Sequence, residues 1–256
     1  MKIIIITLIM LAHLFSQDLF KEGVVEYNRR SINSEGLYAS VIHIDKAIKL
    51  FEKELDNNPN NVELKEQTVL YLLKSYYFKG EYAIKSIDSK KIIFNKGKIL
   101  GEKYISIYPQ SAAIRYWYLV NLGSWAEVYG ILKAAREGVA DIMQEQSQKI
   151  INLDSNYKNG GGYFMLGAVH LKSPYIPFLL SWPSKKEAVK YLQLAINTKE
   201  KTLVQKTYLA HAFYKTGLRK EAVEILNEVI NSEPSKDERI EDLNDINKAK
   251  ELLKTF

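Results

Sequence analysis

A duplicated segment near the end of the 256-residue chain constrains the fold more than any other feature. Residues 185–197 and 219–231 are identical at seven of thirteen positions, at an offset of 34 residues. In each copy an alanine, Ala188 or Ala222, is followed four and eight residues later by leucine and isoleucine. This spacing puts one small and two branched side chains on one helix face, where they pack against a neighbouring helix. A period of 34 residues is typical of stacked helix hairpins.

Similar patterns divide the rest of the chain. Ala47 and Pro59 are separated by twelve residues, as are Ala222 and Pro234, and each proline prevents its helix from continuing. A looser copy ends at Pro109. The predicted hairpins and capping helix cover residues 18–59, 60–109, 110–155, 156–200, 201–234 and 237–254.

The predicted fold is all-α. A first helix over Val62 to Phe78 ends before Gly80, and the β-prone residues 92–94 lie inside a helical repeat, where we expect tertiary packing to favour helix. A single hairpin cannot bury its own apolar stripe. We therefore predict one domain over residues 17–256, a right-handed superhelical stack of about five hairpins whose exposed end is covered by the capping helix.

The first sixteen residues have the features of a signal peptide. Lys2 precedes an apolar run from Ile3 to Phe15, which is shorter than the roughly 20 residues that span a bilayer, and Ser16 is a small residue at the expected cleavage site. The alternative is a buried amino-terminal helix. We predict a periplasmic protein, or one secreted further, without a transmembrane segment after cleavage. The absence of cysteine excludes disulfides and a lipidated cysteine anchor.

The charge pattern argues against nucleic acid as a partner. The 36 basic and 30 acidic residues give a net charge of +6, and the two signs alternate along predicted helices, as in residues 46–54. Interleaved charges are typical of a solvated helix face, whereas a nucleic-acid surface combines a basic stripe with aromatic platforms.

The sequence contains none of the common catalytic or metal-binding patterns. His43, His170 and His211 are widely separated, and no nucleophile elbow or phosphate-binding glycine loop occurs. Residues 160–162 are three glycines that follow a helix, so we interpret them as a turn into the next hairpin. We expect a protein without enzymatic activity, cofactor or metal.

The segment over residues 172–184 is the first candidate for a binding site, because it is longer than its counterpart in the next repeat, apolar, and stiffened by three prolines. Ser184 is expected to cap the following helix. The alternative is that this loop packs over the hairpin ends and completes the core. The predicted contact residues are Tyr175, Phe178, Leu180 and Trp182.

A second candidate lies on the helix before Ala222. With that alanine as the reference position of the repeat, the groove-facing side chains are predicted to contact a peptide or small ligand, although a solvated histidine is the simpler interpretation of His211. His170 occupies a packing position and is expected in the core. The candidate contact residues on this helix are Thr207, His211, Tyr214 and Lys215.

The last two hairpins resemble tetratricopeptide repeats, and the wider arrangement resembles the T-component family of tripartite ATP-independent periplasmic transporters. The resemblance implies an exported helical scaffold that assists a periplasmic solute-binding protein in solute uptake, and that binds this protein, an apolar small molecule, or both. The alternative is a general tetratricopeptide adaptor for protein–protein interaction in cell-envelope assembly. The matching segments are Ala113–Tyr118, Asn121–Ala126, Ile151–Tyr157, the glycines at 160–162, and Leu166–Gly167.

Overall fold

A computed structural model describes residues 19–57, 60–176, 178 and 180–256. The predicted signal segment, Pro59, Pro177 and Leu179 lie outside this part. The described residues form twelve α-helices and two isolated β-bridges but no strand, which confirms the all-α prediction. The helices are α1 (residues 19–28), α2 (Val41–Asp56), α3 (Val62–Phe78), α4 (Ile87–Ile107), α5 (Ala112–Tyr129), α6 (Ile131–Arg136), α7 (Val139–Leu153), α8 (Gly161–Lys172), α9 (Lys185–Ile196), α10 (Leu203–Lys215), α11 (Arg219–Ile230) and α12 (Arg239–Lys254).

The helices stack as hairpins. From α2 to α5 and from α7 to α12, each helix packs against the next one, and α3, α5, α8 and α10 also contact one another in that order. The short helix α6 lies between α5 and α7, and a π-helical turn (Lys79–Ala83) joins α3 to α4. None of the described helices is long and apolar enough to cross a membrane.

Small residues mark the closest helix crossings. Ala188, Leu192, Ala222 and Leu226 have no exposed surface, as the duplicated pattern predicts. In the α4–α5 pair the small residue is a glycine: a Cβ atom on Gly97 would overlap the side chain of Asn121 on α5. These positions set how closely neighbouring helices approach each other.

Several of the described helices begin at a polar side chain that caps the first turn. Ser184 Oγ accepts a hydrogen bond from the backbone N–H of Glu187, as predicted, and Thr202 and Gln205 form a reciprocal capping box at α10. Gly160 precedes α8 with a φ of +79°, a left-handed conformation that glycine adopts without steric cost. This geometry confirms the expected turn between the third and fourth hairpins.

The last helix joins the two ends of the array. On one side α12 packs against α10 and α11. On another side it meets the loop after α1: Arg30 Nη2 donates to Glu241 Oε1 at 2.8 Å, and Asn244 Nδ2 donates to the carbonyl oxygen of Leu37 at 2.9 Å. Farther along α12, Lys248 Nζ lies 2.7 Å from Glu81 Oε1 in the π-helical turn. The superhelix is therefore closed by contacts between its first and last elements.

Substitution of Gly97 by alanine tests the close α4–α5 crossing. The added methyl group would overlap Asn121, whose Nδ2 donates to the carbonyl oxygen of Leu73, so we expect the free energy of unfolding to fall by about 1–3 kcal/mol. Urea denaturation followed by circular dichroism measures this loss.

Gly123→Ala is the matched control, because Gly123 is also helical and the nearest atom to its added Cβ is Met143 Cε at 3.7 Å. Alanine has the higher helix propensity, so this variant should gain about 0.5–1 kcal/mol. Equal effects of the two substitutions would contradict the packing described for α4.

Candidate functional site

The loop between α8 and α9 has a fixed base. Ile176 and Leu180 exchange two backbone hydrogen bonds of 2.8 Å, which closes a tight turn, and Leu180 is buried. Trp182 Nε1 donates to Asp141 Oδ1 on α7 at 2.8 Å. The base is thus attached to a helix that precedes it by about forty residues of chain.

His170 packs against Trp182 at the base of this loop. Its ring meets the Trp182 ring edge-on at 4.9 Å and stacks on Tyr191 at 5.6 Å between centroids. Its Nδ1 accepts a hydrogen bond from the backbone N–H of Ser184 at 3.1 Å, and burial lowers the pKa of the imidazole. His170 is therefore a buried packing residue, as its position in the repeat predicts.

The tip of the same loop is exposed. Tyr175 has 64% of its surface accessible, and Phe178 is fully exposed with a φ of +64°. Positive φ is uncommon for a bulky aromatic residue. We call Tyr175 and Phe178 the loop tip. Both sequence interpretations hold in part, since Leu180 and Trp182 pack against the hairpins while the loop tip faces solvent.

A groove of about 490 Å³ runs beside the base of the loop. Its lining includes Leu166, His170 and Tyr191. His170 is also the residue whose ring contacts Trp182. The side chains that α7 contributes are polar: Gln144, Glu145, Gln148 and Lys149. Such a lining suits a polypeptide segment better than an apolar small molecule.

The second candidate set, on α10, is partly occupied by contacts within the chain. Thr207 is buried, and its hydroxyl donates to the carbonyl oxygen of Leu203 at 2.9 Å. The Tyr214 ring stacks on Phe256 at 3.8 Å, and its hydroxyl donates to the carbonyl oxygen of Thr255. Lys215 is exposed. Ligand binding by these α10 residues stays a prediction.

His211 is half-buried near three lysines. Burial, together with the positive charges of Lys172, Lys215 and Lys185, lowers the pKa of its imidazole to about 4. His211 is therefore neutral at pH 7 and offers a hydrogen-bonding group without a charge. No cluster of histidine and acidic residues suited to a metal ion occurs in the part of the chain described above.

Comparison with known proteins shows the fold. No family model matches the chain, and no curated protein matches it either. The structure is similar to the crystal structure of a thermophilic tetratricopeptide-repeat (TPR) protein in Thermus thermophilus, with a TM-score of 0.61 and 16% sequence identity over 93% of this chain and 99% of that chain. The fold is TPR-like. At this level of identity the likeness concerns the architecture alone.

The sequence predicts the loop as a candidate site, but it does not predict Asp141 as the hydrogen-bond acceptor that holds Trp182 in place. Asp141 lies on α7 and carries no local signal of its role, because the partner that needs it is 41 residues farther along the chain. An unpaired indole N–H in an apolar loop was the one available indication that a polar partner existed.

The ionisation of His211 provides a test of its surroundings. Its pKa of about 4 in the folded state lies below the ordinary 6.5, so the unfolded chain binds more protons between these values. The free energy of unfolding should therefore fall as the pH drops from 6.5 to 4, and His211→Gln should weaken this dependence. An NMR titration of the ring protons measures the pKa directly. A midpoint near 6.5 would show that the ring is solvated and contradict its burial.

Proposed function

We propose that this protein is an exported helical-repeat scaffold that binds a protein partner through the loop tip. The observation that carries the proposal is the full exposure of Phe178 on a loop whose base is held by Leu180 and Trp182. Aromatic side chains dominate the energetics of protein interfaces. A base that is already ordered lowers the entropy cost of presenting such a side chain to a partner.

The expected size of this contribution follows from burial. Removing a phenylalanine side chain from water contributes about 1.5–3 kcal/mol, which corresponds to roughly tenfold to hundredfold in affinity. The groove beside the base adds polar groups next to this apolar contact. The combination of an aromatic centre and a polar border is typical of transient protein interfaces.

The more specific proposal is that the partner is a periplasmic solute-binding protein, which this scaffold assists in solute uptake. Its support is the resemblance of residues 113–126 and 151–167 to transporter T-components, together with the export-like apolar run at residues 3–15. The second candidate, a general adaptor in the cell envelope, is favoured by the exposed Lys215 and the half-buried, uncharged His211 on α10. In that case an extended peptide contacts α10, and the loop tip plays no part.

Alanine substitutions at the loop tip separate these candidates. With Tyr175→Ala and Phe178→Ala combined, we expect calorimetry to show at least tenfold weaker binding to a purified periplasmic solute-binding protein of the same organism, because the aromatic contact is lost. Leu132→Ala is the control, since Leu132 on α6 is 72% exposed and belongs to neither candidate site.

Two other outcomes would contradict the proposed role of the loop tip. Unchanged affinity of the loop-tip variant would exclude the loop as the contact, and a loss confined to His211→Ala with Tyr214→Ala would favour the adaptor. Recovery of the native protein in the osmotic-shock fraction tests the proposed periplasmic location, and its retention in the cytoplasmic fraction would contradict export.

A further inference from the structure

Lys74, in the middle of α3, is a half-buried lysine without an acceptor. Lys79, Lys98 and Lys185 are also half-buried, and each of them bonds to a carboxylate or to backbone carbonyls. Among the described residues, no carboxylate or carbonyl oxygen lies within hydrogen-bonding distance of Lys74 Nζ. Burial, together with the positive charges of Lys158 and Arg30, lowers the pKa of Lys74 to about 8. A buried charge without a partner is costly, so its retention calls for an explanation.

Two aromatic rings flank this ammonium group. Lys74 Nζ lies 4.7 Å from the centroid of the Tyr71 ring and 5.9 Å from that of Trp117 on α5. Lys158 Nζ approaches the same indole at 6.0 Å. Both rings keep part of their surface accessible. The faces of these rings stabilise the cation only partly, and they leave apolar surface next to it.

Three phenol groups around these rings are free to donate hydrogen bonds. Tyr27 meets Tyr71 edge-on at 5.4 Å, and Tyr116 meets Trp117 edge-on at 5.6 Å. Burial raises the pKa of Tyr27 and of Tyr116, although both residues keep part of their surface accessible, as Tyr71 does. The hydroxyl groups of these three tyrosines have no hydrogen-bond partner within the described residues. Each can therefore donate to a ligand at the accessible surface.

The charge balance of this surface favours a ligand with one negative charge. Arg30 is paired with Glu241, and Lys158 Nζ has Glu238 Oε1 at 3.9 Å. Lys74 and Lys158 share Glu238 as their nearby acid, so one positive charge of this group is uncompensated. A doubly charged phosphate would meet one unpaired cation and the nearby Glu238 carboxylate. A single carboxylate matches the site.

We propose that the surface between α1, α3 and α5 binds an amphipathic monocarboxylate, whose carboxylate pairs with Lys74 and whose apolar or aromatic body packs against Tyr71 and Trp117. The phenol hydroxyls donate the additional hydrogen bonds that a desolvated carboxylate requires. Such a carboxylate belongs either to a free organic acid or to the end of a peptide with an aromatic last residue. This site is separate from the loop tip, so it can stand or fall independently of the function proposed above.

Titration calorimetry with 4-phenylbutyrate, against its neutral amide, tests the proposal in the full-length mature protein. We expect the acid to bind and the amide to bind at least tenfold more weakly, because only the acid pairs with the ammonium group. Lys74→Met keeps the length of the side chain and should remove this preference. Raising the pH from 7 to 9 should weaken binding of the acid, since Lys74 loses its proton near pH 8.

Lys103→Met is the matched control, because Lys103 Nζ also lies over a tyrosine ring, that of Tyr104 at 5.2 Å, but on α4 and away from the site. A second arm compares a short peptide that ends in phenylalanine with its carboxyl-terminal amide. Preference for the free carboxylate in either arm supports the proposal and identifies the source of the group.

Failure of both acids to bind, or equal binding by acid and amide, would overturn the proposal. So would unchanged affinity of a Lys74→Met variant that circular dichroism shows to be folded. Removal of an uncompensated buried charge should raise the melting temperature of this variant, so misfolding is not expected to confuse the result.

Discussion

The pairing of Arg30 with Glu241 holds the two ends of the helical stack together. The residues are 211 positions apart, and the guanidinium donates from both Nε and Nη2 to one carboxylate oxygen. It also lies over the rings of Tyr27 and Phe78, at 4.6 and 5.2 Å. Glu241 Oε2 is buried without a hydrogen-bond partner among the described residues, and burial raises the pKa of this carboxyl group, so the pair bears a desolvation cost. Together with the Asn244–Leu37 and Lys248–Glu81 contacts, this pair joins two ends that would be independent in a stack where each repeat touches only its neighbours.

The surface between α1, α3 and α5 lies beside this contact, since Arg30 covers the ring of Tyr27. Tyr27, Tyr71 and Trp117 are half-buried there. Burial, with the charges of Lys158 and Arg30, lowers the pKa of Lys74. The exposed loop tip has the opposite character, since Phe178 projects into solvent and only its base is enclosed. The molecule thus offers two surfaces of different chemistry.

The repeat pattern was sufficient to predict the architecture. The buried Ala188, Leu192, Ala222 and Leu226 define helix faces through local periodicity. The predicted α-helix over Val62–Phe78 has these bounds, but Gly80 does not stop the chain there, because it lies inside the π-helical turn Lys79–Ala83 that follows directly. Contacts between distant segments could not be predicted in this way. Neither the Arg30–Glu241 pair nor the hydrogen bond from Trp182 to Asp141 has a local signature, because each joins residues that lie far apart in the sequence. The stacking of Phe256 on the Tyr214 ring has no local signature for the same reason.

The distance between the two ends of the stack tests the closure most directly. The chain has no cysteine, so Glu35→Cys and Lys250→Cys introduce two unique sites for spin labels at exposed positions of the first loop and α12. Pulsed electron–electron double resonance should give one narrow distribution of distances between the two labels. This distribution should broaden when Arg30→Met removes the pair with Glu241. A broad or two-component distribution in the protein with an intact Arg30 would contradict the closed superhelix.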